Sequence, residues 1–123
     1  MVPFDKLIKM RGNDEDDLRH IAEQLRDGLC PIIAMVYDKQ SFTLLVNRFC
    51  WNHQDTHQGA PLYYRSHVGL LFLHVNNVQR KGFEQHGAKR ILNLLDIQVS
   101  HEDDRIFITL VFSGNQAICV EVQ

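Results

Sequence analysis

The first periodic stretch of the chain is helical. Leu18, Ile21, Ala22, Leu25 and Leu29 recur at the spacing that places apolar side chains on one face of an α-helix. Asn13 or Asp14 can cap this helix, and the acids from Asp14 to Asp17 suit the positive end of its dipole. Gly28 followed by Pro31 stops it.

From Cys30 onward the pattern is that of strands and turns. Pro31 to Tyr37 is rich in branched and aromatic residues, and the polar turn Asp38 to Ser41 leads into a second strand, Phe42 to Trp51, with Phe42, Leu44 and Val46 alternating with more polar positions. Asn52 to Pro61 is polar and without period, which predicts the longest irregular loop of the chain. Leu62 to Val75 is a long strand in which Gly69 is the natural place for a bend. Asn76-Asn77 turns the chain into Val78 to Phe83, and Glu84 to Arg90 forms a second polar loop. In Ile91 to Ser100, the residues Ile91, Leu95, Ile97 and Val99 share a face, and His101 to Asp104 supplies a turn. Arg105 to Phe112 and Ala117 to Val122 flank Ser113-Gly114-Asn115-Gln116, whose Gly-Asn centre predicts a type II′ hairpin.

An N-terminal amphipathic helix followed by roughly six or seven mostly antiparallel strands is an α+β fold, in which a curved sheet lays one face on the helix. A pleckstrin-homology-like roll or partly open barrel is the favoured form, because a long bent strand and successive hairpins are what closure requires. Residues 1–123 read as one domain, since about 100–150 residues form a single core.

Composition narrows the function classes without choosing one. Hydrophobic residues at 45% and charged residues at 23% are globular values, and the formal charge of −2 gives no global field towards DNA or an anionic membrane. No apolar run approaches the ~20 residues of a membrane span. Cys30, Cys50 and Cys119 lie far apart without a C-x-x-C pair, as expected of reduced thiols in the cytoplasm. No cofactor signature is present: there is no P-loop, G-x-S-x-G, H-E-x-x-H or G-x-G-x-x-G.

Three groups of residues could carry chemistry. Cys50, His53 and His57 supply zinc-type ligands at C-x2-H-x3-H spacing, but a structural zinc needs a fourth, which only a distant residue such as Cys119 or His101 could provide. A zinc-dependent enzyme is therefore the weakest reading. Arg65, Arg80, Lys81, Lys89 and Arg90 face only Glu84 as a neighbouring acid, a local excess suited to nucleic acid or another phosphoanion, although cations also blunt sheet edges. Asn47, Arg48 and Trp51 are the residues of their strand that packing explains least. Leu45, Phe49 and Trp51 outweigh Val46, Arg48 and Cys50 in apolar character, so Asn47 is expected to point inward and Arg48 into solvent. With no catalytic signature, the favoured function is a small non-catalytic binding or assembly module, meeting a protein partner or a second copy of itself through exposed residues such as Trp51 and Tyr63.

Several stretches taken together resemble a known family. Leu44 to Trp51 (LLVNRFCW), Gly69 to Phe83 (GLLFLHVNNVQRKGF), Ile91 to Ile97 (ILNLLDI), Thr109 to Gly114 (TLVFSG) and Ala117 to Val122 (AICVEV) are similar in order and spacing to the bacterial family called domain of unknown function 2948. The resemblance implies a name without a reaction, because each motif is a core or turn pattern. It also implies a short acidic helical tail after Glu121-Val122, whose absence would leave an edge strand open to self-association.

Overall fold

A computed structural model describes the backbone of residues 6–10, 15–57, 60–82 and 90–123, and the side chains of these residues apart from 49–65. The helix forms where the apolar stripe predicts it, as α1 (Glu15–Leu25), with Glu15, Asp16 and Asp17 in its first turn and Leu18, Ala22 and Leu25 buried. The proposed caps Asn13 and Asp14 lie outside the described residues. Leu29, though in phase with the helix, belongs to a strand, because Asp27 takes a left-handed φ of 66° and turns the chain away.

The remaining elements are β1 (Lys6–Met10), β2 (Leu29–Pro31), a 3-10 turn (Ile32–Ala34), β3 (Val36–Asp38), β4 (Ser41–His57), β5 (Ala60–Leu73), β6 (Val75–Lys81), β7 (Ile91–Glu102), β8 (Arg105–Phe112) and β9 (Gln116–Val122). They form one nine-stranded sheet in the order β1-β5-β4-β2-β7-β8-β9-β6, with β3 beside β4. All pairings are antiparallel except β1 with β5. The fold is thus α+β with an open sheet, and it has more strands than the sequence pattern suggests.

Each extra strand has a physical origin. β1 precedes the helix and was not expected; its five residues carry two lysines, and its pairing with residues 68–72 is set by a non-local partner. Pro31 to Tyr37 does not run as one strand, because the 3-10 turn interrupts it. Asn52 to Pro61 is not a free loop: Thr56 and His57 pair with Pro61 and Ala60 after a register shift that follows the Asn52–Leu62 pair. Backbone pairing of this kind leaves no hydrophobic period to read.

The bend of the long strand falls at His74, not Gly69. Gly69 stays in regular register with Leu45 on one side and Leu7 on the other. His74 takes a φ of 58°, a conformation open to a short polar residue at an exposed corner. The corner is pinned on both sides: the Val75 N–H donates to the Gln40 carbonyl at 2.8 Å, and the Gln123 N–H donates to the His74 carbonyl at 3.0 Å. The turn after β8 has a φ of 78° at Gly114 and 59° at Asn115, and two positive values exclude the expected type II′.

β7 likewise departs from the expected face. Leu92, Leu94 and Ile97 are buried, while Ile91 and Leu95 are exposed, because the register with β8 shifts between Leu94 and Asp96. A bulge adds one residue and so moves the apolar phase from even to odd positions.

One hydrophobic cluster joins α1 to both halves of the sheet, with Leu44, Val46, Leu70 and Phe72 from one half and Ile108, Leu110, Ile118 and Val120 from the other. Gly28 makes the close approach between the helix end and β4 possible. A Cβ there would collide with the Val46 side chain and lie 2.9 Å from the Leu25 carbonyl oxygen. Gly28→Ala should therefore destabilise the fold by about 1–3 kcal/mol through overpacking, a shift in urea midpoint that chemical denaturation reads directly. A loss below about 0.5 kcal/mol would contradict this account of the helix–sheet contact.

Candidate binding site at an open seam of the sheet

The 3-10 turn decides which residues of the segment 31–38 reach solvent. Residues i and i+3 eclipse in such a turn, so Ile32 and Met35 point inward together and Ile33 and Val36 point outward together. Ile33 is 73% exposed, Val36 52% and Tyr37 44%. Ile91, at 57%, lies beside them, since it pairs with Pro31. Single exposed apolar residues are ordinary, but several large ones gathered in one short segment form a patch.

The patch borders a gap in the sheet. β6 ends the strand order, and β3 pairs with β4 alone, so among the described residues each has one edge without a second partner. The two meet at the Gln40–Val75 hydrogen bond. From there a cavity of about 110 Å³ lies between them, lined by Ile32, Met35, Tyr37 and Phe42 on one side and by Val78, Arg80 and Ile118 on the other. Apart from Arg80 and Tyr37, the residues that line it carry apolar side chains. A larger hollow of about 370 Å³ between α1 and β7 is lined by charges of both signs, including Glu15, Arg19, Glu23, Arg26 and Asp96, and has the character of a solvated groove. The His101 Nε2 and the Glu15 Oε2 lie 3.1 Å apart, an exposed contact worth little.

The residues singled out from sequence fall in different places. Asn47 is not inward. Phe42, Leu44 and Val46 are the described residues of β4 in the main core cluster, which places Arg48 on the core side and Asn47 on the opposite side, both half-buried. The even positions begin the strand with three strongly buried residues and so set its face. Leu45 is also buried, although it is not in the main cluster, so both faces of β4 are covered at this point and the apolar comparison between faces lost its force. The Arg48 Nε and the Asn93 Oδ1 are buried without a hydrogen-bond partner among the described residues.

Of the basic group, Arg80, Lys81 and Arg90 are exposed and lie at the seam. Arg80 lines the cavity and has an interaction of its own, and the Arg90 carbonyl accepts a hydrogen bond from Ile32, a residue of the same cavity, at 3.1 Å. The Arg65 backbone pairs with Phe49, well away along β5, and its side chain lies outside the described residues, as does all of Lys89. The side chains of Trp51, Cys50, His53, His57 and Tyr63 lie outside them too. Cys30 is fully buried, and desolvation pushes its thiol up to about 12, which makes it a packing residue and no nucleophile near neutral pH.

A sequence model of the family described as "Protein of unknown function (DUF2948)" matches residues 8–123, nearly the whole chain from the second half of β1 to the last residue. The chain belongs to this family. No curated protein and no solved structure matches it. Among the described residues, no helix is long and apolar enough to cross a membrane. Neither the exposed Ile33, Val36 and Tyr37 nor the cavity was picked out from sequence. The signal was present as an apolar run too long for a half-buried strand, but without the 3-10 turn nothing assigns its residues to an outer or an inner side.

Proposed function

We propose that this member of the family is a small non-catalytic binding module of the bacterial cytoplasm, and that it meets a protein partner through the apolar patch of Ile33, Val36 and Tyr37. The observation that carries this reading is the concentration of large exposed hydrophobic side chains in one short segment beside an apolar cavity. The proposal also extends to the fold. The open sheet is a pleckstrin-homology-like roll left unclosed at the seam, as supported by the single core shared by both sheet halves and the continuous passage of β5 into β6 at His74.

Capture from native lysate with the wild-type chain and with an Ile33→Asp, Val36→Asp variant tests the reading. Both substitutions are at exposed positions and should change stability by less than about 0.5 kcal/mol each. A partner retained by the wild type and lost by the variant is the expected result. Equal recovery, or recovery of monomer alone, would overturn it.

A second reading has one observation in its favour, the exposure of Arg80 and Lys81 on β6 and of Arg90, whose carbonyl is bonded to the cavity residue Ile32. If these cations bind nucleic acid, log affinity for single strands should fall with log salt by about 0.7 per phosphate contact. Absence of binding at low salt would end it.

A further inference from the structure

We propose that the seam between β3 and β6 takes up an extended acidic peptide as an added strand, with one aliphatic side chain of the peptide filling the cavity beneath. This deepens the partner reading above and rests on it.

Among the described residues, both walls of the seam are strand edges. An edge strand presents every second N–H and C=O away from its partner, and water or another extended backbone can satisfy them. β6 has seven residues and β3 three, so β6 supplies the longer ladder. The walls run in opposite directions away from the Gln40–Val75 hydrogen bond, since β3 precedes Gln40 in the chain and β6 continues from Val75, and residues of both line one cavity. A strand entering between them is antiparallel to one and parallel to the other, and it adds the ladder that the open sheet lacks on this side. Extended peptides are recognised in this manner elsewhere: main-chain hydrogen bonds give affinity and pockets for alternate side chains give selectivity.

The cavity and the charges define the peptide. A dry cavity of about 150 Å³ holds a benzene ring, so one of about 110 Å³ suits Val, Ile or Leu and excludes Trp. Among the described residues, Arg80, Lys81, Arg90 and Lys39 outnumber Asp38 around the seam, and their summed field favours an acidic strand and repels a basic one. A phosphate or a fatty acid would use the same cations but would leave both edges unladdered.

A displayed library of random seven-residue peptides, selected on the full chain, tests the proposal. The expected enriched sequences carry an aliphatic residue flanked at alternate positions by Asp or Glu. The enriched peptide should slow amide exchange in 75–81 about tenfold or more while leaving the β7–β8 hairpin unchanged. A copy with backbone N-methyl groups and the same side chains should bind about tenfold or more weakly. Val78→Trp, which fills the cavity, should abolish enrichment, and Leu7→Ser, on the far edge strand, should not. Enrichment that survives Val78→Trp, equal binding of the N-methylated copy, or no protection in 75–81 would each overturn strand addition. Those failures leave the patch reading intact if Ile33→Asp, Val36→Asp still loses its partner; retention of the partner by that variant, with 75–81 protected by peptide, overturns the patch and keeps the strand.

Discussion

Replacing Phe72 with alanine should cost about 3–5 kcal/mol, the usual range for emptying a buried aromatic site. The ring is completely buried and belongs to the one core cluster. It stacks on Phe42, its cross-strand partner, with centroids 6.3 Å apart and planes 27° from parallel. On its other side it pairs with Met10 of β1. Phe72 also stands just before the His74 corner, so the cavity left by alanine would open where β5 passes into β6. Backbone pairing with β4 on one side and β1 on the other limits how far the strand can move to close the cavity. A urea titration reads the loss as a lower midpoint at unchanged slope. Because a domain of this size has only about 5–15 kcal/mol to lose, Phe72→Leu provides a milder companion, with a loss of about 1–2 kcal/mol expected. Losses below about 1 kcal/mol for the alanine variant would contradict the packing described.

The second large effect is alkaline. Cys30 is buried, and desolvation raises its thiol from 9.0 to about 12. Below pH 9 the thiol is protonated in both folded and unfolded chains, and its contribution is fully present. Between about pH 9 and 12 the unfolded chain releases a proton that the folded chain retains, so stability falls as pH rises. Three pKa units correspond to about 4 kcal/mol at most, of which about 2–3 kcal/mol should be gone by pH 11. The measurement compares wild type with Cys30→Ala from pH 7 to pH 11. All other ionisable groups are common to both proteins and cancel in the difference. The wild type should lose stability relative to the variant above pH 9, and parallel curves would show that the thiol is not desolvated.

What could be read from the chain depended on whether a segment's partners were local. α1 was legible because Leu18, Ile21, Ala22 and Leu25 keep a helical period, whereas its end at the left-handed Asp27 left Leu29 in phase but in a strand. The β7–β8 and β8–β9 hairpins were legible because short turns join adjacent alternating runs. β1 was not, since its partner lies some sixty positions away and its own lysines hide the alternation. The bulge at Leu95 and the corner at His74 changed which residues are buried without leaving a composition signal, because one extra residue or one left-handed φ is enough to move a whole face. The site followed the same rule. Arg80, Lys81 and Arg90 were identified as a basic group, but the seam beside them is a relation between β3 and β6, two strands that are not paired with each other. Asn47 and Arg48 were assigned by comparing the two faces of one strand, and that comparison fails where both faces are covered.

The most direct test of the partner surface is photo-crosslinking in the native cell, with a benzophenone amino acid placed at position 37 and, in a second strain, at position 7. Both sites are exposed in the folded chain, Tyr37 at 44% and Leu7 at 45%, so accessibility is matched. A protein adduct that forms from position 37 and not from position 7 is the result predicted here. Equal adducts from both positions, or none from position 37, would contradict the assignment of the seam as the surface through which this protein works.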